Sequence, residues 1–413
     1  MDPSPDPTLR HRTDEVALTV LDPQGVPMTG TEVVVEQRSH AVGLGNIGFD
    51  QIPLANDELS GQAAAQAVEL AALWLDLHNS ATLPFYWGQF EPVRGRPDTR
   101  RLLRTARWFD DRGVRVKGHP LVWHTLTAPW LLDLPTAEVV EAQRARIRRE
   151  VSDFSGVIDT WDAINEVVIM PVFDKEENGI TRVAQELGRV GVIRLAFEEA
   201  RATNPAATLL LNDFNLSADY EHLIEEVLEA GIQVDALGLQ SHMHQGYWGE
   251  EKTLGILERF ARFGLPLHLT ETTLLSGDLM PPEIEDLNDY QVSHWPSTPQ
   301  GEERQAHEVV RHYTTLLSHP SVESITYWGL SDHGAWLGAP VGLVRADGTP
   351  KPAYDALHGL VKGEWWLPPT SLRTDDAGQV TVSGWRGAYG VACAAGSGTF
   401  TLDGSGSAQV RVG

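Results

Sequence analysis

A single cysteine, Cys393, stands in 413 residues, which excludes a disulfide framework and any thiolate metal cage. No apolar run is long enough to span a bilayer, and the opening MDPSPDPTLRHRTDEV lacks the hydrophobic region of an export signal. A cytoplasmic location is the expectation for the chain as it stands, and a secreted one if a leader precedes it. Positive charge is scarce. The 32 Lys and Arg against 57 Asp and Glu leave a net charge of −25. That balance repels phosphate backbones and anionic surfaces, so neither nucleic acid nor membrane is expected as a partner. Nothing in the sequence points to a protein partner. Short-period repeats, heptads and low-complexity tracts are missing too.

What remains is an ordinary globular composition, 42% hydrophobic and 22% charged, in a chain longer than one average domain. Thirteen tryptophans are its unusual feature. Cores use such rings, and so do clefts that stack against sugars. Residues 1–39 hold EVALTVLDPQGVPMTGTEVVVEQ, apolar and polar by turns with Pro/Gly breaks, which predicts strand–turn–strand. Residues 363–413 read the same way, Gly-rich with short alternating runs. The two ends are expected to form an accessory β module, jointly if the barrel termini meet. Such a module either caps the barrel base or binds carbohydrate through Trp365, Trp366 or Trp385.

Between them, residues 40–362 carry eight short apolar runs: AVGLGN, ATLPFYW, RVKGHPLVW, DTWDAIN, TLLLND, ALGLQSH, LPLHLTE and ESITYWGL. Amphipathic stretches such as TAEVVEAQRARIRREVSDF separate them. A doubly wound sheet shares this alternation, but eight units predict a (β/α)₈ TIM barrel. In such a barrel the C-terminal strand ends face the site. Here they carry His119, Trp123 and His124, then Asn165 and Glu166, then Asn212 and Asp213. Gln240 and His242, Glu271, and finally Trp328 and Asp332 continue the series. Stability does not require polar groups at strand ends, so a row of them predicts a site. Glu166 follows the fourth run and Glu271 closes the seventh, across the mouth from each other, as cleavage of a glycosidic bond requires of two carboxyls.

WDAINEV at 161–167 and LHLTET at 267–272 resemble the acid/base and nucleophile segments of family 10 glycoside hydrolases, the (β/α)₈ xylanases. GHPLVWH at 118–124, LNDFN at 211–215, GLQSHMH at 238–244, WGLSDHGAW at 328–336 and KPAYDAL at 351–357 extend the resemblance over about 75–360. It implies Glu166 as acid/base and Glu271 as nucleophile of a retaining double displacement. It also implies that Asn165 contacts the sugar 2-hydroxyl with help from Gln240, and that His242 orients Glu271. His119, Trp123, Trp328 and Trp336 would wall the sugar that carries the breaking bond, with Asn212 beside them. No cofactor and no metal is implied. His242-Met243-His244 has ligand-like spacing but no converging acidic partner.

Three departures bear on substrate. The second run, TLPFYWGQFEP, is short and apolar, putting Phe85 and Tyr86 where polar substrate contacts would be expected. Thr273 replaces an aspartate that would orient the histidine beside the nucleophile, and Phe214 replaces a tyrosine. A long segment, 276–305, is expected to wall or cover the cleft with Tyr290 and Trp295. Two substrates stay open. One is β-1,4-xylan or its oligosaccharides. The other is a short oligosaccharide or plant glycoside that yields a mono- or disaccharide.

Overall fold

A computed structural model describes residues 6–413, so the first five residues of the expected N-terminal segment lie outside the description. Its strands are β1 (Thr13–Leu21), β2 (Glu32–His40), β3 (Gly43–Ile47), β4 (Ser80–Pro84) and β5 (Arg115–His119). Next come β6 (Thr160–Asn165), β7 (Thr208–Asp213), β8 (Ala236–Met243), β9 (Leu267–Leu274) and β10 (Val322–Tyr327). The chain ends with β11 (Thr370–Arg373), β12 (Gln379–Trp385), β13 (Gly387–Cys393), β14 (Gly396–Leu402) and β15 (Ser407–Arg411). β3 to β10 close into an eight-stranded parallel barrel with helices between consecutive strands. These are the eight apolar runs. Buried on both faces, parallel strands need no polar alternation, which is why they read as short apolar blocks. Among the described residues, no helix is long and apolar enough to cross a membrane.

The helix Thr136–Asp153 shows how the outer layer fixes the inner one. Its buried Arg146 donates to Leu121 O at 2.6 Å, to Pro120 O at 3.2 Å and to Phe85 O, and pairs with Glu150 at 3.1 Å. One guanidinium thus saturates the carbonyls just beyond β4 and β5, where the chain enters the site.

The ends form two sheets together. β1 lies between β12 and β15, antiparallel to the first and parallel to the second; β2 lies between β11 and β13, with β14 beyond. Their facing sides share a core of Val16, Leu18, Val20, Val33, Val35, Val382, Tyr389 and Val391. Arg12 donates to His319 O and Val322 O at 2.7 Å each, which ties this sandwich to the start of β10, the end opposite the mouth. At the same junction His40 Nε2 meets Val361 O at 2.9 Å, and Trp365 stacks on Trp385 at 5.0 Å. Trp365 and Trp385 are buried there, and Trp366 lies against His40 beneath Lys362. The sandwich caps the base, and these tryptophans are its mortar.

Candidate active site

Strand register delivers the polar side chains to one place. β6 pairs Asn165 with Asn212 of β7, and β8 pairs Gln240 with Glu271 of β9 through a shift at Leu239/Gln240. Gly238 makes room: a Cβ on it would stand 2.3 Å from Asn212 Oδ1. The Asn212 amide donates to Asn165 Oδ1 at 2.7 Å and to Glu271 Oε1 at 3.1 Å. Gln240 Nε2 donates to Asn165 Oδ1 at 3.1 Å and Glu166 Oε1 at 3.2 Å. Three amides therefore bridge the two glutamates. With its oxygen occupied twice, Asn165 has an NH₂ without a partner among the described residues, free for a ligand. Thr270 completes the set by donating to Asn212 Oδ1 at 2.6 Å.

Glu166 follows β6 directly and has φ 57°, a left-handed conformation uncommon outside glycine, held by its N–H donating to Asn212 O at 2.9 Å. Such strain concentrates where a side chain must be aimed. Trp123 Nε1 donates to Glu166 Oε2 at 2.7 Å. Burial, and then the nearby charge of Glu271, push the Glu166 carboxyl up to about 8, against the Trp123 and Gln240 hydrogen bonds. Glu271 goes the other way. Burial disfavours its charge, but the His242 hydrogen bond at 3.1 Å, followed by the influence of His119, outweighs it, leaving Glu271 below its ordinary value. The two glutamates are thus driven apart, one kept protonated and one ionised near neutrality.

The aromatic wall sits on the other half of the mouth. Trp328 lies 5.2 Å from His119 and 6.0 Å from Phe49, and Tyr86 lies 5.5 Å from Trp123 and 5.8 Å from His119. Trp336 stands 5.0 Å from His242. Phe85 is not part of it. Fully buried, it packs 4.8 Å from Trp161 and 4.9 Å from Phe154. The expectation that Phe85 faces substrate is corrected for a simple reason: successive extended residues point to opposite sides, so with Tyr86 in the cleft Phe85 must enter the barrel wall. Phe214 is exposed on the rim. The 276–305 segment is packed rather than loose, with Trp295 and Met280 in a small core with Leu275, Ala339 and Val341. Tyr290 packs on Trp295 at 4.9 Å, and Trp295 lies 6.2 Å from His244, behind Trp336.

Four contributors escaped the sequence reading of the site. Asp162 accepts from Lys117 at 2.8 Å and from His119 Nδ1 at 2.7 Å, which fixes the His119 ring. Despite burial, the Lys117 charge and the His119 hydrogen bond hold the Asp162 carboxyl down at about 2. Both residues sit inside strands rather than at their ends, where the strand-end rule does not look. Phe49 follows β3, where that rule would have found it. Asp213 was noted at a strand end but given no role. It is fully buried, accepts from Val168 N at 3.0 Å and Asn215 N at 2.9 Å, and is pushed up to about 7 by burial.

A family model described as Glycosyl hydrolase family 10 matches residues 84–359. Endo-1,4-beta-xylanase 3 of Hypocrea jecorina is 27% identical over 285 residues, 67% of this chain and 73% of that protein. Endo-1,4-beta-xylanase A of Caldicellulosiruptor saccharolyticus is 27% identical over 302 residues, 66% of this chain and 82% of its own length. In fold, the chain is similar to xylanase 10B from Thermotoga petrophila RKU-1, solved in complex with xylobiose. The TM-score is 0.64 at 22% identity, covering 78% of this chain and 95% of that one.

Proposed function

The chain belongs to glycosyl hydrolase family 10 and is a glycoside hydrolase, and from that premise we propose that it hydrolyses β-1,4-xylan or xylo-oligosaccharides by a retaining double displacement. The observation that carries this reading is the amide bridge. It links Glu166 to Glu271 at the barrel mouth while their surroundings separate their charges. Glu271 attacks the anomeric carbon as Glu166 gives its proton to the departing oxygen. Once Glu271 is consumed in the glycosyl ester, its charge no longer raises Glu166. The same carboxyl becomes the base that takes a proton from the incoming water. The free Asn165 NH₂ is placed for a sugar hydroxyl, and His119, Trp123, Trp328 and Trp336 enclose the ring. The names of the relatives support xylan as the substrate.

The second reading, a shorter substrate, turns on Tyr86. Tyr86 puts an aromatic ring in the cleft among Phe49, His119 and Trp123, and its hydroxyl has no partner among the described residues. Product analysis on xylan beside short aryl β-xylosides decides. Xylobiose and longer fragments from the polymer support the first reading. Inactivity on xylan with release from the small glycosides replaces it with the second.

A further inference from the structure

Behind the nucleophile, Thr273 Oγ1 stands 3.4 Å from His242 Nδ1 and 3.4 Å from His244 Nδ1, and the Met243 N–H donates to it at 3.1 Å. The protons in this cluster can be counted. His244 Nε2 is buried without a partner. An orphaned N–H is rarer in a protein interior than an orphaned lone pair, which leaves Nε2 bare and the proton on Nδ1. That N–H points at Thr273 Oγ1. The hydroxyl oxygen then accepts from Met243 N and His244 Nδ1, and its own proton has His242 Nδ1 as acceptor. His242 in turn carries its proton on Nε2, 3.1 Å from Glu271 Oε2.

We infer that Thr273 and His244 are positioning residues that hold His242 as a neutral donor to Glu271, through a one-way relay from His244 to Thr273 to His242 to Glu271. A carboxylate at position 273 would do the opposite: it would claim an Nδ1 proton and make His242 an imidazolium. The groups facing His242 are Glu271 and Thr273 from β9, His244 in the turn just past the end of β8, and Trp336 and Trp328 at 5.0 and 6.4 Å. Of these only Glu271 and His244 titrate, and burial keeps His244 neutral, with its value lowered to about 3. Neutrality matters in the second half of the reaction. When Glu271 becomes an ester its charge disappears, and a neutral His242 is not left as an uncompensated buried cation. The 3.4 Å contacts are long for O–H···N, so the relay selects a tautomer rather than adding much stability.

The inference rests on Glu271 being the nucleophile, and its test has two separable readouts. Nitrogen NMR of ¹⁵N-histidine-labelled protein, with His242→Asn for assignment, is expected to show one protonated and one bare ring nitrogen on His242 between pH 6 and 7. Two protonated nitrogens, or a proton on Nδ1 alone, overturn the relay whatever Glu271 does. In kcat/KM against pH with an activated aryl β-xyloside, Thr273→Asp is expected to move the acid limb down by about one pH unit, because an imidazolium now faces Glu271. Thr273→Ser, which keeps the hydroxyl, is expected to overlay the parent profile. An unmoved limb in folded Thr273→Asp, or a moved one in Thr273→Ser, overturns the inference. Full activity of Glu271→Gln would instead sink the nucleophile reading and leave the NMR result standing.

Discussion

In the terminal sandwich, inward positions of β1, β2, β12 and β13 are filled by valine, leucine and tyrosine, while polar residues alternate outward. In the barrel mouth the buried positions are Asp162, Asn165, Asn212, Gln240 and Glu271. Both sets of side chains are buried, yet only the first kind of burial drives folding. Apolar surface contributes about 25 cal/mol per Å² removed from water, whereas a buried carboxylate must recover its lost hydration from partners. The mouth recovers it through paired amides, a lysine and imidazoles, and the result is a site whose charges are preset. The sandwich is where stability is gathered, and the mouth is where some of it is given up for chemistry.

The sharpest way to break that contrast is Glu271→Gln. Loss of the proposed nucleophile is expected to lower turnover on an aryl β-xyloside by at least about 10³-fold. Unfolding free energy should not fall by more than about 1 kcal/mol, since glutamine takes a buried charge out of the mouth and still accepts from His242. A large stability loss would mean that the mouth also holds the fold together. Glu166→Ala comes next. Loss of a general acid is expected to cost about 10²–10⁴-fold on substrates with poor leaving groups and far less on activated ones. Equal losses on both would argue against Glu166 as the proton donor.

Leu18→Ala probes the other region. Leu18 is fully buried in the sandwich, so the substitution is expected to cost about 2–5 kcal/mol in chemical denaturation. Activity per folded molecule should stay at the parent level, because the sandwich joins the base and not the mouth. A severalfold drop in kcat at full folding would show that the cap also sets the mouth geometry.

The two regions were unequally legible in the sequence. All eight barrel strands could be read because each is a short apolar block, and their polar ends marked the mouth. Phe85 and Tyr86 could not be sorted, since which of two neighbours faces in depends on where the strand leaves the barrel. The amide bridge was hidden as well. It depends on the register of β8 against β9, shifted at Gln240, and on the absence of a side chain at Gly238. Lys117 and Asp162 stand inside apolar strands, and nothing local in either strand shows that they bond to each other. In the sandwich, alternation revealed strands but not partners. The parallel pairing of β1 with β15 joins residues from opposite ends of the chain, and no local pattern encodes it.

The smallest expected effect concerns pH and turns on Asp213. Glu166, with its value near 8, must be protonated to act as the acid. So kcat/KM should hold below that value and fall about tenfold per pH unit above it. Glu271, held below its ordinary value, must be ionised, so the acid limb should lie under the usual glutamate range. Asp213 adds to the charge that raises Glu166, and its own value near 7 means that it ionises just before Glu166 does. Asp213→Asn removes that charge and keeps one of the two oxygens, which accept separately from Val168 and Asn215, so one of these two hydrogen bonds is lost. The alkaline limb should then move down by less than about one pH unit while the acid limb stays in place. A shift of both limbs would mean that the substitution disturbs the amide bridge as a whole. An alkaline limb that stays put would mean that burial and Glu271 alone set the acid.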